Sequence, residues 1–315
     1  WRPEIDTMDT FVCSSWYYLR YLDPNNSMEP FSKKVLNWMP VDCYVGGAEH
    51  ATMHLLYARF ITKALRDLKF IDFDEPFKKL YHQGTITKAG AKMSKSKGNT
   101  VAPDEFIDTY GSDTFRIYLM FMGPYDEGGD WNDKGIKGID RFLKKVWKII
   151  NLPNSDQDDK KTVQLMNKTI KIVTSNLEKM VFNTSISRLM EFVNHLSQYD
   201  KVSLKLKDNL TLLLSPLAPH LSEEIWEKLG HKGSIFDQSW PNYDSSNLES
   251  NNTTIIVQVN GKLRANFEIE KDQSKDIVLG KAKELDKVQK YLQNSELIKE
   301  IYVPNKIVNF VVKNK

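Results

Sequence analysis

The spacing of apolar residues divides the chain into three textures. Over residues 1 to about 125 short apolar runs alternate with helical periodicity. Phe11–Arg20 is dense in aromatic side chains behind the capping residues of Asp6–Thr10, which predicts a buried helix ending before Pro24. Val41–Val45 is a short apolar run that enters Gly46-Gly47 and predicts a strand. From Glu49 to about Leu68 the residues Met53, Leu56, Phe60, Ile61 and Leu65 recur at helical spacing. Strand, two glycines and helix make the kind of βα turn at which open parallel sheets hold ligands. Lys79–Gly84 predicts a second strand, Pro103–Ile107 the start of a helix, and Ser112-Asp113-Thr114 the cap of another that carries Phe115, Ile117, Tyr118, Met120 and Phe121.

From Asp133 the pattern becomes helical throughout. Ile136, Ile139, Leu143, Val146 and Ile150 form one stripe, and Lys137, Arg141, Lys144, Lys145 and Lys148 occupy the rest of the helix, a basic face that suits either solvent or RNA phosphates. After a polar linker from Asn154 to Lys161, helices are predicted over Val163–Met180 and Thr184–Leu196. A pair broken by Pro216 and Pro219 follows, with Ser222-Glu223-Glu224 in the first turn of the second. A Ser/Asn linker, Tyr243 to Asn252, marks a boundary. Beyond it the period drops to two, through Ile255, Val257 and Val259, a turn at Asn260-Gly261, and Leu263, Ala265 and Phe267. A helix over Ser274–Leu292 and strands at Ile298–Val303 and Ile307–Val312, joined through Pro304-Asn305, complete a ββαββ module.

Composition narrows the classes. The 315 residues can bury a core, and no apolar run reaches the roughly 20 residues of a membrane span. The opening Trp-Arg-Pro-Glu has neither an apolar secretory segment nor a Met, so a piece of a longer, cytoplasmic protein is expected. The two cysteines, Cys13 and Cys43, lack a CxxC spacing and argue against a disulfide framework or a thiolate zinc site. A net charge of +3 does not by itself imply nucleic acid, although from Ile255 onward twelve Lys/Arg face eight Asp/Glu.

The candidate chemistry centres on Ala91–Thr100. Lys92, Lys95 and Lys97 alternate with Ser94 and Ser96 and end at Gly98-Asn99, which predicts a mobile cationic loop able to converge on a polyanion. Gly46 and Gly47 allow close approach of the backbone to a nucleotide, and Glu49 is placed to accept from a ribose hydroxyl. His50 and His54 stand one turn apart, as chelating histidines do, but no third ligand accompanies them, so no metal site is expected.

Lys92-Met93-Ser94-Lys95-Ser96 is identical to the KMSKS signature of class I aminoacyl-tRNA synthetases. Its setting resembles the leucyl-tRNA synthetases of bacterial type. Asp6–Phe11, Ser14–Tyr18, Gly46–His50 through Met53–Tyr57, Tyr110–Thr114 with Arg116, Phe182–Thr184, Leu214–His220 and Val257–Lys262 all resemble that family in order. The resemblance covers nearly the whole chain. It implies the second half of a Rossmann-type α/β catalytic domain over 1–130, an α-helical tRNA-binding bundle over 131–242 and a small basic α+β (ββαββ) domain over 253–315.

It further implies that Lys92 and Lys95 act on ATP during leucine activation, with Met93, Ser94, Ser96, Gly46, Gly47 and Glu49 around the nucleotide. Phe11, Ser14, Tyr17, His50 and His54 would surround leucine, although plain core packing accounts for Phe11 and Tyr17 as well. Lys137, Arg141, Lys144, Lys145, Lys262 and Arg264 would meet tRNA-Leu. The expected cofactors are ATP as substrate with Mg2+, and no zinc.

The family's His-x-Gly-His signature, the Asp that holds the leucine ammonium and the editing domain are not in these residues. Activation by this chain alone is therefore not expected without the missing N-terminal half, in cis or as a separate chain. The Thr85–Ala91 link is short where some bacterial relatives carry an extra domain. Two other readings remain: a non-catalytic tRNA-binding subunit, and a class I synthetase for isoleucine, valine or methionine.

Overall fold

The computed structural model describes residues 2–3, 5–6, 8–248, 252–293 and 295–314. Thr7 of the predicted cap, residues 249–251 of the predicted linker and Asn294 lie outside the described residues. Two compact units are present, one formed by residues 1–157 and 171–241, the other by 158–170 and 242–315.

In the first unit the aromatic run forms two short helices rather than one, α1 (Thr10–Ser14) and α2 (Tyr17–Arg20). Asp9 accepts from Phe11 N at 2.7 Å to cap α1, and Trp16, at φ −139°, leaves helical geometry between the two. Only α2 is anchored inside, by Tyr18 and Leu19, which pack with Phe31, Ala58 and Ile71. Strand β1 (Tyr44–Gly46) leads into a 3-10 turn over Ala48–Thr52 and then α3 (His54–Asp67). The long helix expected from Glu49 is thus divided at Met53, whose φ −121° and ψ −101° no helix accommodates. β2 (Leu80–His82) pairs with β1 in parallel, Gly46 opposite His82.

A second sheet has the order β4-β3-β5, with β3 (Thr85–Lys88), β4 (Ala91–Lys92) and β5 (Gly128–Trp131). The hydrophobic pattern does not predict β5, because two of its four residues are glycine and it has no alternation to read. Gly128 explains the choice: its φ is +84°, and a Cβ there would collide with the backbone of Thr85. Trp131 anchors the strand by packing edge-on against Phe106 and Tyr118, at centroid distances of 4.8 and 5.1 Å. These two rings come from α4 (Pro103–Tyr110) and α5 (Ser112–Phe121).

The helical bundle of the first unit consists of α6 (Ile136–Ile150), the part of α7 (Lys160–Glu178) from residue 171 onward, α8 (Phe182–Leu196), α9 (Leu204–Leu214) and α10 (Pro219–Lys228). All five stripe residues of α6 are buried, while Lys137, Arg141, Lys144, Lys145 and Lys148 are exposed. Two caps differ from expectation. Ser112 does not cap α5, whose N-cap is Gly111, and Glu223 and Glu224 fall beyond the first turn of α10 because that helix begins at Pro219. The carboxylate at the start of α10 comes instead from α5: buried Asp113 accepts from Leu221 N at 2.7 Å and pairs with His220 Nδ1 at 2.8 Å. Glu223 turns away to Ser234 and the Ile235 amide.

In the second unit β6 (Asn252–Val259) and β7 (Lys262–Glu270) form a hairpin through Asn260-Gly261, with φ of +50° and +75°. The helix expected over 274–292 is two helices, α11 (Lys275–Glu284) and α12 (Asp286–Leu292), because Leu285 is extended at ψ 121°. β8 (Ser295–Val303) and β9 (Ile307–Asn314) complete a sheet of order β7-β6-β9-β8, with β6 and β9 parallel. Ile255, Val257, Val259, Val308 and Phe310 pack beneath the helices with Val278, Leu279 and Val288. The Asn260 amide pairs with Val312 as a peptide group would, donating to its carbonyl at 2.9 Å and accepting from its N–H at 2.8 Å.

Candidate active site

Strand β1 passes through the Ala48–Thr52 turn into α3, and the cleft at the strand's carboxyl end has a volume of about 460 Å³. Phe11, Ser14 and Tyr17 line it from α1 and α2, Gly46 and Gly47 from the strand end, and Glu49, His50 and His54 from the following turn and helix. These are all eight residues expected outside the lysine loop for the nucleotide and amino acid. Lys92, Met93, Ser94, Lys95 and Ser96 are not among the lining residues.

The polar groups of the cleft form a chain. Tyr17 Oη lies 2.9 Å from Tyr44 Oη, which lies 2.7 Å from His54 Nε2. His54 is buried, and burial, with a smaller contribution from neighbouring His50, pulls its pKa below the ordinary histidine value. It is a neutral ring at pH 7, in contact with an aromatic wall. Burial also raises the Tyr44 hydroxyl well above the usual tyrosine range, so it remains a proton donor. Nδ1 of His50 and Nδ1 of His54 are buried without a hydrogen-bond partner among the described residues. Buried atoms of this kind suit a ligand that brings its own polar groups.

Tyr44 and His82 are cleft residues that pattern reading missed. His82 Nδ1 lies 3.0 Å from Gly46 O and donates to that carbonyl, as the β1–β2 register allows. His82 ends β2, at the carboxyl edge where parallel strands hold ligands, whereas Tyr44 opens β1. Gly47 is extended, and a Cβ on it would collide with the Glu49 carboxylate, which lies across the glycine. The glycine is what lets Glu49 take that position at the cleft mouth.

The lysine run forms a shaped turn with no buried residue. Lys92 ends β4, Lys95–Lys97 form a 3-10 turn, and Gly98 closes it at φ +62°. Asn99 staples the base, accepting from Ser94 N at 2.8 Å and donating to Lys92 O at 3.2 Å, while the Ser94 and Ser96 hydroxyls meet at 2.7 Å. Of the basic residues expected to meet RNA, Lys144 pairs with Asp140 and Lys145 with Asn194, both at 2.8 Å. Lys262 is exposed on β7, and the Arg264 guanidinium lies 4.2 Å from the centroid of Tyr291.

A cleft at the end of parallel strands, a KMSKS sequence and a helical bundle, in that order along the chain, define a class. Residues 2–131 match the model of class I tRNA synthetases (I, L, M and V), and residues 159–279 match the anticodon-binding domain of tRNA ligases. Among curated relatives, leucine–tRNA ligase of Petrotoga mobilis is 48% identical and that of Clostridium tetani 47%, each aligned over 99% of this chain and 41% of the relative. The chain is a homologue of leucine–tRNA ligases along its whole length, and it spans about two fifths of theirs. A crystal structure of the Agrobacterium radiobacter K84 agnB2 LeuRS–tRNA–LeuAMS ternary complex superposes with a TM-score of 0.73 at 35% identity, covering 98% of this chain and 43% of that one.

Proposed function

We propose that the chain is a C-terminal portion of a cytoplasmic leucine–tRNA ligase, which joins leucine to tRNA-Leu at the expense of ATP. The convergence of eight separately expected residues on one cleft carries this reading. In activation the leucine carboxylate attacks the α-phosphate, forming leucyl-AMP and releasing pyrophosphate. Negative charge accumulates on phosphate oxygens and on the leaving group. Lys92 and Lys95 offset that charge, Ser94 and Ser96 donate hydrogen bonds, and Glu49 accepts from the ribose. Mg2+ accompanies ATP as part of the substrate. Phe11, Ser14, Tyr17, His50 and neutral His54 enclose the leucine side chain, a branched apolar group that fits a wall of rings.

The proposed division is a catalytic half over 1–130, a tRNA-binding bundle over 131–242 bearing Lys137, Arg141, Lys144 and Lys145, and a ββαββ tRNA-binding domain over 253–315 bearing Lys262 and Arg264. Activation requires the remainder of the ligase, in cis or as a second chain. Two features support that requirement: among the described residues, a sheet of two short parallel strands, and the exposed apolar side chains Leu56 and Phe60 on α3. The test is leucine-dependent pyrophosphate exchange. The purified 315-residue chain is expected to show no rate above its Lys95→Ala variant, and addition of the complementary portion is expected to restore one. Exchange by the isolated chain, or restoration by isoleucine or valine in place of leucine, sinks the proposal.

A further inference from the structure

We propose that Asp130 is the positioning residue of the lysine turn, and that its carboxylate fixes the hairpin from which the turn departs. β3 is the central strand of its sheet, with Thr87 opposite Asp130 on one side and opposite Lys92 on the other. Asp130 Oδ1 accepts from Thr87 Oγ1 at 2.6 Å and from Gly90 N at 2.9 Å. The first bond crosses to the centre of the strand, and the second reaches the Ala89-Gly90 reversal, whose φ values of +54° and +72° join β3 to β4. Two residues beyond that reversal stands Lys92. The hairpin is too short to define itself: β3 and β4 share only two cross-strand pairs. One acceptor that engages both the strand and the reversal supplies the missing restraint.

Asn99 closes the far side of the same turn through Ser94 N and Lys92 O. The turn is therefore held at two points, by Asp130 upstream and Asn99 across its base. The bonds from Thr87 and the adjoining backbone hold the Asp130 carboxyl below the usual aspartate range, so it is ionised at neutral pH and acts as a strong acceptor. Asp130 is exposed and offers no bond to substrate in this reading. It acts through the backbone that carries Lys92 and Lys95. The functional meaning of that restraint rests on the proposed phosphate role of the turn.

Amide hydrogen exchange on the 315-residue chain tests the restraint directly. Asp130→Ala is expected to accelerate exchange at Gly90 and across residues 92–98 by about tenfold. Exchange in α6 and α8 should not change. Asp130→Asn keeps the acceptor oxygen and is expected to rescue protection to within about twofold of wild type. Thr87→Val, which removes one bond without altering charge, should give an intermediate increase if the alanine variant does not fold. Unchanged exchange at 92–98 in the folded variants overturns the proposal, as does an equal rise throughout the bundle. Inorganic pyrophosphate serves as the separate probe: it should protect 92–98 in wild type and protect less in Asp130→Ala. Absence of protection in wild type removes the phosphate reading, while the exchange rates still decide the role of Asp130.

Discussion

Tyr44 and His54 show how one hydroxyl can set the state of a cleft. The Tyr44 Oη sits between Tyr17 and His54, so a proton donated in one direction commits the other bond to the reverse direction. Replacing Tyr44 with Phe leaves His54 Nε2 buried without that partner and is expected to cost about 1–2 kcal/mol in urea denaturation. The His54 ring titrates in the unfolded chain near 6.5, but its folded pKa is lower, first because of burial and then because of His50. Between those two values the unfolded state binds more protons. Stability therefore rises with pH through the window below 6.5 and is lost on acidification through it. His54→Gln should flatten that part of a stability-versus-pH curve; an unchanged slope would place the titration elsewhere. Gly47→Ala tests a different contact. Gly47 backbone is extended, so melting temperature should barely move, whereas displacement of the Glu49 carboxylate should weaken ATP binding by the completed ligase.

Among the elements, α10 depends on a residue more than a hundred positions away. Asp113 supplies the acceptor that its own N-cap, Ala218, cannot, so Asp113→Ala should destabilise the first unit by about 2 kcal/mol, with Asp113→Asn recovering much of it. Equal losses in both variants would assign the effect to charge rather than to the Leu221 bond. The sequence displays Asp113 only as a local cap for α5, because a long-range acceptor leaves no periodic trace. The same limit explains the other differences. Helix faces such as the Ile136–Ile150 stripe were legible because each is a local repeat, and Asn260-Gly261 because its turn chemistry is local. The breaks at Met53 and Leu285 interrupt patterns that remain helical on paper, and β5 is specified by how closely Gly128 approaches Thr85. In the cleft, Gly46, Gly47 and Glu49 were legible from the strand-glycine-helix order, while the residues proposed to enclose leucine came through family resemblance. Tyr44, His82 and Asn99 emerged only when their partners were brought alongside.

For the molecule as a whole, the proposed RNA interactions are electrostatic, and they make a prediction independent of catalysis. Binding to tRNA-Leu should weaken steeply with salt. Lys137→Ala with Arg141→Ala should lower the slope of log affinity against log salt by about one for each phosphate no longer neutralised, read by filter binding across a salt series. A slope unaltered by both changes would mean that this face of α6 meets only solvent. The hairpin turn of the second unit has a further consequence, one of chemical ageing. An asparagine followed by glycine is prone to lose its side-chain amide when the next backbone nitrogen attacks the side-chain carbon and closes a five-membered imide. Here both reactants are engaged elsewhere: the Asn260 amide is paired with Val312, and Gly261 N donates to Asn309 at 3.1 Å. While β9 stays docked, the turn is shielded from that reaction. Once β9 frays, the product carboxylate would face the Val312 carbonyl with no hydrogen to offer it, so a transient opening could be recorded in the chain as a permanent one.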